Sequence, residues 1–407
     1  MTDYVIIGGG IASVACVEGI RKKDKLGKIY LISGENKPTY CRPLISYYLQ
    51  GLTDFNKMKY RPDEFYTDNN CELIYDYATS INPKEQKVYL KNGEIKYDKL
   101  CVATGSSPFI PPFNGLDTVD KKFTFMTEDD ALAIEQNINK DSNVLIIGAG
   151  LIGLKCAEGI CEKVNKITVT DLSTRVLSSI LDDECASFMQ KKLEEHNIDF
   201  LLGDSIVEIN TNTALFKSGK LITFDVLILA VGVRTNTAIF KSAGGLVNRG
   251  IIVNEKQETS LANIYSAGDC AEGFDSAKGE KRVLAILPNA YMQGFTAGLN
   301  MAGDSATLTN SIPMNSIGFF GLYAMTAGIY EGEMYEEKDA EHIKRLFFKD
   351  NCLIGFIIIG KINGTGIYTD LIRNKTKLSD EAIELIKKSP SLTIYSKETR
   401  KKVLGGC

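Results

Sequence analysis

Two short apolar segments, each followed at once by glycines, stand out in the hydrophobic pattern of the chain. Residues 3–7 (DYVII) and 143–147 (NVLII) precede a glycine cluster and then a pattern with helical spacing. This order predicts a strand, a tight turn and a helix. A second apolar run follows each helix, at 28–33 (KIYLIS) and 166–170 (KITVT), and completes a βαβ unit. The sequence therefore predicts the same unit twice.

A second pair of segments repeats in the same order. Residues 97–105 (YDKLCVATG) and 224–232 (FDVLILAVG) each contain an aspartate, an apolar strand, a small residue and a glycine. Beyond the second copy, 263–269 (NIYSAGD) predicts a strand that ends in a turn, and 288–303 predicts a helix. Because these last elements lie outside the second repeat, we expect the first domain to be discontinuous along the chain.

The pattern predicts an α/β fold with two Rossmann-like dinucleotide-binding domains, each of three layers around a parallel sheet. From about residue 310 the chain changes to short strands, as expected of a small α+β domain. A final helix from Ser379 to Lys388 precedes a polar end, and we expect the tail 376–407 to be a solvated terminus; the alternative is a docking segment within a larger redox complex. The predicted boundaries are 1–112 with 240–309 for the first domain, 113–239 for the second, 310–376 for the small domain and 377–407 for a helical tail.

Composition narrows the classes of partner. The 407 residues carry a formal net charge of −4 and no long basic run, so neither nucleic acid nor a membrane surface is expected. No stretch of 18 apolar residues occurs, and the first residues lack a basic region and a small-residue cleavage site, which favours a cytoplasmic location. The ten cysteines include no C-x-x-C pair, so no metal site is expected.

The glycine clusters carry the candidate chemistry. The first fits G-x-G-x-x-G with serine in the last place, and the second fits it fully. Two glycines allow a tight turn and a close approach to a pyrophosphate, the third place must be small for helix packing, and the helix N-terminus then presents free N–H groups. The predicted phosphate-binding residues are Gly8, Gly10 and Ser13 at the first site and Gly148, Gly150 and Gly153 at the second.

An acidic residue at the end of the second strand of each unit is the candidate ribose ligand. Asp171 follows KITVT directly, where its carboxylate can bind ribose hydroxyls and repel a 2'-phosphate. This favours NAD(H) over NADP(H), although Arg175 provides a cation that is able to pair with a 2'-phosphate. In the first unit, Glu35 is the corresponding choice for the ribose of FAD.

Together with the duplicated units, the segments Ala103–Gly105, Ala230–Gly232 and Ala267–Asp269 resemble the flavoproteins related to the disulfide reductases. Residues 40–46 (YCRPLIS) resemble the Y-x-R-P segment of NADH:rubredoxin and ferredoxin reductases, and the C-terminal part is similar to the small domain of that branch. The resemblance implies FAD and further cofactor contacts. These are Arg42, Pro43, the backbone of Ala78, Thr104, Gly105, Gly232 and Asp269, the last on the ribityl chain.

Two positions depart from the pattern of that family. Many relatives have a glutamate at the position of Lys155 and a lysine, near flavin N5, at the position of Tyr47. We hypothesise that Lys155 supplies the cation instead; a solvated helix lysine is the alternative. Cys41 lies where single-cysteine relatives have a redox thiol, but it occupies the variable place of Y-x-R-P, so an incidental thiol is favoured unless Arg42 lowers its pKa. Lys155 and Cys41 are the candidates for a catalytic side chain.

The resemblance implies an FAD-dependent NAD(P)H oxidoreductase. NADH is expected to pass a hydride to FAD, and electrons then go to a small iron–sulfur protein of rubredoxin or ferredoxin type. Two alternatives stay open. One is a Cys41-dependent NADH peroxidase, NADH oxidase or CoA-disulfide reductase, and the other is a flavin-binding subunit of a larger redox complex. The sequence is compatible with an oligomer.

Overall fold

The computed structural model describes residues 2–395. Over this range the chain divides into two compact units, one formed by residues 2–273 and 281–308, the other by residues 274–280 and 309–395. The predicted fold class is confirmed. The first unit contains two parallel, Rossmann-like sheets with their helices, and the second contains an antiparallel sheet with helices.

The first parallel sheet is formed by residues of the first predicted domain. Its strand order is β19-β7-β1-β2-β3, and every neighbouring pair is parallel. A small antiparallel sheet, β4-β5-β6, leads into β7. The strands are β1 (Asp3–Ile7), β2 (Lys28–Ser33), β3 (Cys71–Tyr75), β4 (Ala78–Asn82), β5 (Lys87–Leu90), β6 (Gly93–Lys96), β7 (Lys99–Val102) and β8 (Ser106–Pro108), and the helices are α1 (Ile11–Lys23), α2 (Ile45–Leu49) and α3 (Phe65–Asp68).

The second parallel sheet has the order β12-β11-β10-β16-β9, again parallel throughout. It also carries a small antiparallel sheet, β13-β14-β15, at the corresponding place. The strands of this part of the chain are β9 (Lys122–Thr124), β10 (Asn143–Ile147), β11 (Lys166–Asp171), β12 (Ile198–Leu202), β13 (Ile206–Asn210), β14 (Thr213–Phe216), β15 (Leu221–Thr223), β16 (Val226–Leu229) and β17 (Val233–Thr235), and the helices are α4 (Glu128–Asn137), α5 (Leu151–Ile160) and α6 (Asp183–Glu194).

The chain then returns to the first sheet, as the interrupted pattern predicts. Strand β19 joins that sheet beside β7, and the long helix α8 packs against α1. The elements of this return are α7 (Ala238–Ser242), β18 (Ile251–Ile252), β19 (Ile264–Ser266), β20 (Ala271–Asp275), β21 (Glu280–Arg282) and α8 (Leu287–Met301). Strand β8 pairs antiparallel with β17, so the two connections between the domains form one ribbon.

The second unit is built on the antiparallel sheet β22-β23-β26-β25-β24. Its elements are β22 (Met314–Phe319), β23 (Leu322–Gly328), β24 (Glu333–Lys338), β25 (Ile343–Lys349), β26 (Cys352–Ile359), α9 (Thr365–Arg373) and α10 (Asp380–Lys388). Leu378 and Ile386 are buried in its core, and Tyr395 packs against it. The expectation of a solvated tail is therefore wrong for the part up to residue 395, and residues 396–407 lie outside the described range. The four domain boundaries given above stay predictions.

Candidate nucleotide-binding sites

The two glycine turns have nearly the same geometry. Gly8 and Gly148 lie at positive φ, +130° and +116°, after β1 and β10. A Cβ at Gly8 would lie 2.0 Å from the carbonyl oxygen of Ala103, and one at Gly148 would lie 2.2 Å from that of Ala230. Glycine is therefore required at both turns on two grounds, the backbone conformation and the close approach of a neighbouring strand.

The helices that follow these turns have N-termini without a competing side chain. Gly10 is the N-cap of α1 and Gly150 that of α5; neither end has a side-chain cap or an acidic residue in its first turn. A Cβ at either N-cap glycine would meet nothing within 4 Å. Helix α4 differs, because Thr127 caps it and three acidic residues fill its first turn. The space beside both N-cap glycines is thus open, as the close approach of a pyrophosphate to a helix N-terminus requires.

The third position of each motif is closely packed. A Cβ at Gly153 would lie 2.0 Å from the carbonyl oxygen of Gly148, so this glycine is required for the helix to approach its own turn. Ser13 at the first site is fully buried, and among the described residues its hydroxyl oxygen has no hydrogen-bond partner. The third place of the first motif therefore accommodates the small side chain of Ser13, whereas the same place in the second motif, Gly153, has no room for a side chain.

The structure brings Glu35 and Arg42 together beside the first turn. The Arg42 guanidinium forms an ion pair with Glu35 Oε1, and the Tyr40 hydroxyl donates to Glu35 Oε2 at 2.7 Å. Arg42 and Pro43 begin a short 3-10 helix after Cys41. Ala78 begins β4, and the ring of the preceding Tyr77 packs against Gly34, next to Glu35. Glu35, predicted for the ribose of FAD, therefore lies near Arg42, predicted for the pyrophosphate and isoalloxazine, and near the start of β4 at Ala78, predicted for the adenine.

Asp269 is a largely buried carboxylate in the loop between β19 and β20. Ser106 Oγ donates to its Oδ2 at 3.0 Å, and Gln293 on α8 accepts from the Gly268 amide at 2.9 Å. Burial raises the pKa of Asp269, while the hydrogen bond from Ser106 and the charge of Arg42 offset part of that effect. Ser106 and Gln293 were not predicted, because nothing in their local sequence indicates a partner more than 20 residues away.

The Asp269 carboxylate is expected to destabilise the FAD-free protein at neutral pH. Because its pKa is raised in the folded state, the protonated carboxyl stabilises the fold at pH values below its unfolded pKa. That stabilisation is lost as the pH rises through the folded pKa and the buried group becomes charged. We expect FAD-free Asp269→Asn to melt at a higher temperature than FAD-free wild type at pH 7, with the difference shrinking towards pH 4. Thermal melts across this range measure the effect.

The same variant should bind FAD more weakly. A hydrogen bond to a charged acceptor contributes about 1.5–3 kcal/mol, which corresponds to a loss of affinity of roughly 10-fold to 150-fold. Fluorescence titration of FAD measures this loss. A wild type that is as stable as the variant at pH 7, together with unchanged FAD affinity, would contradict both the buried charge and its proposed role.

Asp171 lies against the second glycine turn. Its Oδ2 accepts from the Ala149 amide and its Oδ1 from the Ser173 amide, both at 2.8 Å. Each carboxylate oxygen accepts two hydrogen bonds, so one site on each remains for a ribose hydroxyl. Arg175 instead donates to Asp183 Oδ1 at 2.8 Å and to the Leu181 carbonyl at 3.1 Å. The geometry thus favours Asp171 over Arg175 as the residue that faces a ribose.

Thr104, Gly105 and Gly232 lie at the ribbon between the two domains. Asn236 joins the two sides: its amide donates to the Gly105 carbonyl at 2.9 Å, and its side chain donates to the Thr104 carbonyl at 3.0 Å. The Thr104 hydroxyl returns a bond to the Asn236 carbonyl at 2.5 Å. Gly232 accepts from the Phe109 amide at 2.9 Å. Asn236 is a connecting residue that the sequence pattern did not indicate.

Lys155 and Tyr47, the two departures from the family pattern, are in contact. The Lys155 ammonium lies 4.8 Å from the centre of the Tyr47 ring. It also forms an ion pair with Glu158, whose side chain is 7% exposed, one turn later on α5. The alternative of a solvated helix lysine is therefore wrong. Glu158 is a further partner that the sequence did not identify.

Cys41 is half-buried, and its surroundings do not favour a thiolate. Burial raises the pKa of the Cys41 thiol, and the Leu44 amide offsets this only in part. Arg42 directs its charge at Glu35 instead. The hypothesis that Arg42 lowers the pKa of Cys41 is therefore wrong.

Within residues 2–395, no group of three or more metal-ligating side chains is able to hold an ion, and no helix is long and apolar enough to cross a bilayer.

A family model described as pyridine nucleotide-disulphide oxidoreductase matches residues 2–294, a span that includes both glycine turns and Asp269. The chain belongs to this family. This confirms the resemblance drawn from the motifs, and it makes the protein an NAD(P)H-dependent flavin oxidoreductase of an FAD-binding family. The open cradles at Gly10 and Gly150 and the buried carboxylate of Asp269 fit the two cofactors that such an enzyme needs.

Three relatives of this oxidoreductase have different functional names. The chain is 27% identical over 394 residues to the epsilon subunit of NADH-dependent phenylglyoxylate dehydrogenase from Aromatoleum evansii, covering 93% of each. It is 32% identical over 390 residues to an NADH oxidase of Methanocaldococcus jannaschii, covering 88% of this chain and 87% of the relative. The crystal structure of NADH:rubredoxin oxidoreductase from Clostridium acetobutylicum has a TM-score of 0.77 and 26% identity, covering 95% of this chain and 99% of that one.

Proposed function

We propose that this oxidoreductase uses NADH to reduce a small iron–sulfur protein of rubredoxin or ferredoxin type, with FAD as the carrier between them. The observation that carries the proposal is the pair of helix N-termini at Gly10 and Gly150, each free of acidic side chains and each followed by a strand that ends at or just before a carboxylate, Glu35 or Asp171. FAD, when bound, supplies the chemistry: it accepts a hydride and releases electrons singly. Similarity to the rubredoxin oxidoreductase supports the class of acceptor.

In this proposal the side chains bind and orient. The glycine turns and helix dipoles hold the two pyrophosphates, Glu35 and Asp171 bind the riboses, and Asp269 binds the ribityl chain. Pro43, Ala78, Thr104, Gly105 and Gly232 provide backbone around the nucleotides. Asp171 gives the preference for NADH, because its charge repels a 2'-phosphate. No acid–base side chain is required for hydride transfer.

Lys155 has a proposed role in setting the electrostatics of the reduced cofactor. A cation stabilises negative charge nearby. A Lys155 ammonium that faces the flavin ring would therefore stabilise the reduced, anionic flavin. The ion pair with Glu158 reduces the net charge that it brings but fixes its position. The replacement Lys155→Met keeps the apolar stem and removes the charge, so unchanged flavin potential and unchanged hydride-transfer rate in this variant would remove Lys155 from the mechanism.

The decisive experiment is stopped-flow reduction of the purified protein by NADH, followed by mixing with rubredoxin, ferredoxin, hydrogen peroxide or CoA disulfide. Wild type and Cys41→Ser are compared throughout. We expect fast reoxidation by an iron–sulfur protein, with rates that differ by less than about 2-fold between the two, because the raised pKa keeps Cys41 protonated. Turnover of peroxide or disulfide that is lost in Cys41→Ser would overturn the proposal in favour of a thiol-dependent enzyme.

A second candidate is a flavin-binding electron-transfer subunit of a larger redox complex. The similarity to a phenylglyoxylate dehydrogenase subunit over 93% of the chain favours it. The flavin chemistry would be the same, but the partner would be bound stably. Size-exclusion analysis of the protein taken from its native cells distinguishes the two, because a resident subunit elutes with its complex and a soluble reductase elutes without one.

A further inference from the structure

One segment, residues 37–48, connects the first glycine turn to a helix of the other domain. Thr39 is buried, and its hydroxyl donates to the Gly9 carbonyl at 2.8 Å, within the turn itself. The segment is fixed from its other side by backbone hydrogen bonds from Cys41 to Met58 at 2.8 Å and from Tyr60 to Thr39 at 2.9 Å. It is therefore a well-held part of the first site.

Tyr40 is the point at which this segment contacts both domains. Its hydroxyl donates to Glu35 Oε2 at 2.7 Å and accepts from the Glu128 amide at 2.9 Å, and the residue is 7% exposed. Glu128 is the first residue of α4, where backbone amides have no partner within the helix. Thr127 already caps the Asp130 amide. Tyr40 is thus a second cap of α4, and the other domain provides it.

Two more contacts tie the same segment to α4. Lys37 forms ion pairs with Glu128 at 3.1 Å and with Asp129 at 2.8 Å. The Tyr48 hydroxyl donates to Glu135 at 2.6 Å, in the last turns of the helix. The segment therefore holds α4 at both of its ends, and any shift of the segment is carried to the helix.

Helix α4 is in turn connected to the second nucleotide site. Glu135 accepts a 2.5 Å hydrogen bond from Lys163. Lys163 ends the short 3-10 helix that follows α5 directly. The N-terminus of α5 is the cradle at Gly150. A continuous set of polar contacts thus runs from Glu35 through Tyr40 and α4 to α5.

Glu35 is able to take a ribose without giving up these contacts. Tyr40 and Arg42 bind different oxygens of its carboxylate, and each oxygen has a second acceptor site. A ribose hydroxyl on Glu35 would therefore restrict the carboxylate that Tyr40 binds. A restricted Glu35 carboxylate would in turn restrict the Tyr40 hydroxyl, which caps the N-terminus of α4.

We propose that Tyr40 is a positioning residue that couples occupancy of the FAD site to occupancy of the NADH site through helix α4. The proposal rests on the proposed role of Glu35 as the ribose ligand of FAD. Such coupling is reciprocal: if FAD favours the NADH-binding arrangement, then nicotinamide nucleotide must favour FAD by the same factor. The nucleotide used in the test is NAD⁺, because it binds without reducing the flavin.

The test measures the Kd of FAD by diluting the holoenzyme to equilibrium and following the fluorescence of released FAD, with and without saturating NAD⁺. In wild type we expect NAD⁺ to lower this Kd by about 5-fold or more, the lower end of typical coupling between sites. In Tyr40→Phe the effect of NAD⁺ should fall below about 2-fold, because the hydroxyl that joins Glu35 to α4 is gone. Tyr48→Phe, which breaks a second contact with α4, should reduce it in part.

Tyr291→Phe is the matched control. It also removes a 2.7 Å hydrogen bond from a tyrosine to a carboxylate, that of Glu18. Tyr291 lies on α8 and Glu18 on α1, so this bond is not part of the contacts that run through α4. It should keep the wild-type effect of NAD⁺. An unchanged effect in Tyr40→Phe, or no effect in wild type, would overturn the proposal. The assay contains no electron acceptor, so its outcome is independent of whether the acceptor is an iron–sulfur protein.

Discussion

Gly298→Ala is expected to destabilise the protein by about 2 kcal/mol or more and to weaken its hold on FAD. The reason is the crossing of α1 and α8, where a Cβ at Gly298 would lie 2.1 Å from the Cys16 carbonyl oxygen. Gly294 and Gly19 meet the opposite helix as closely, at 2.0 Å and 2.3 Å. A backbone atom cannot turn away as a side chain does, so the helices must separate and carry the Gly10 cradle with them.

Gly366→Ala is the control for this prediction. Gly366 lies in α9, and a Cβ there would meet nothing within 4 Å. Gly366 is in the first turn of α9 and is not among the glycines with positive φ, so alanine fits there and should stabilise the protein by about 0.4–1 kcal/mol, because it restricts the unfolded chain. Unfolding midpoints by circular dichroism and FAD retention on gel filtration measure both variants. Equal stabilisation by the two substitutions would show that the helix crossing is looser than the structure has it.

Asp171→Ala should lower kcat/KM for NADH by about 10-fold to 150-fold, the loss expected when a charged hydrogen-bond acceptor is removed. The same change should raise kcat/KM for NADPH, because the charge that repels a 2'-phosphate is gone. Steady-state reduction of an artificial acceptor with each nucleotide gives the ratio. It is independent of the physiological electron acceptor.

Arg175→Met tests the opposite assignment. Arg175 donates to Asp183 and to the Leu181 carbonyl, so its loss should change neither nucleotide's kcat/KM by more than about 3-fold. A selective loss of NADPH activity in Arg175→Met, with Asp171→Ala unaffected for NADH, would assign the cation rather than the carboxylate to nucleotide selection.

The features that the sequence predicted are those that local chemistry determines. Gly8 and Gly148 require glycine because of positive φ and the adjoining backbone, so the motif is tied to the turn wherever it occurs after a strand. The two parallel sheets followed from apolar runs and from the order of strand, turn and helix. The place of Asp171 at the end of β11 also followed from the strand pattern, and its role as a ribose ligand stays a prediction.

The features that the sequence did not predict depend on pairs that are distant along the chain. Glycines four residues apart in α8 give no hydrophobic signal, although they set how closely it approaches α1. Nothing local to Tyr40 indicates that it caps a helix 88 residues later. Likewise, residues 274–280 belong to the second unit because Ser276 donates to the Ser311 carbonyl at 2.8 Å, a contact that no motif encodes.

The ribbon formed by β8 and β17 has a consequence for exchanging domains between relatives. Its two strands belong to different domain segments, 1–112 and 113–239, yet they pair with each other and are joined by Asn236. Cutting the chain at both predicted boundaries would separate the partners and expose two unpaired edges. A chimera that takes the nucleotide domain of a relative therefore needs both connections from the same parent, so the linkers are inherited as one module although they lie more than 100 residues apart.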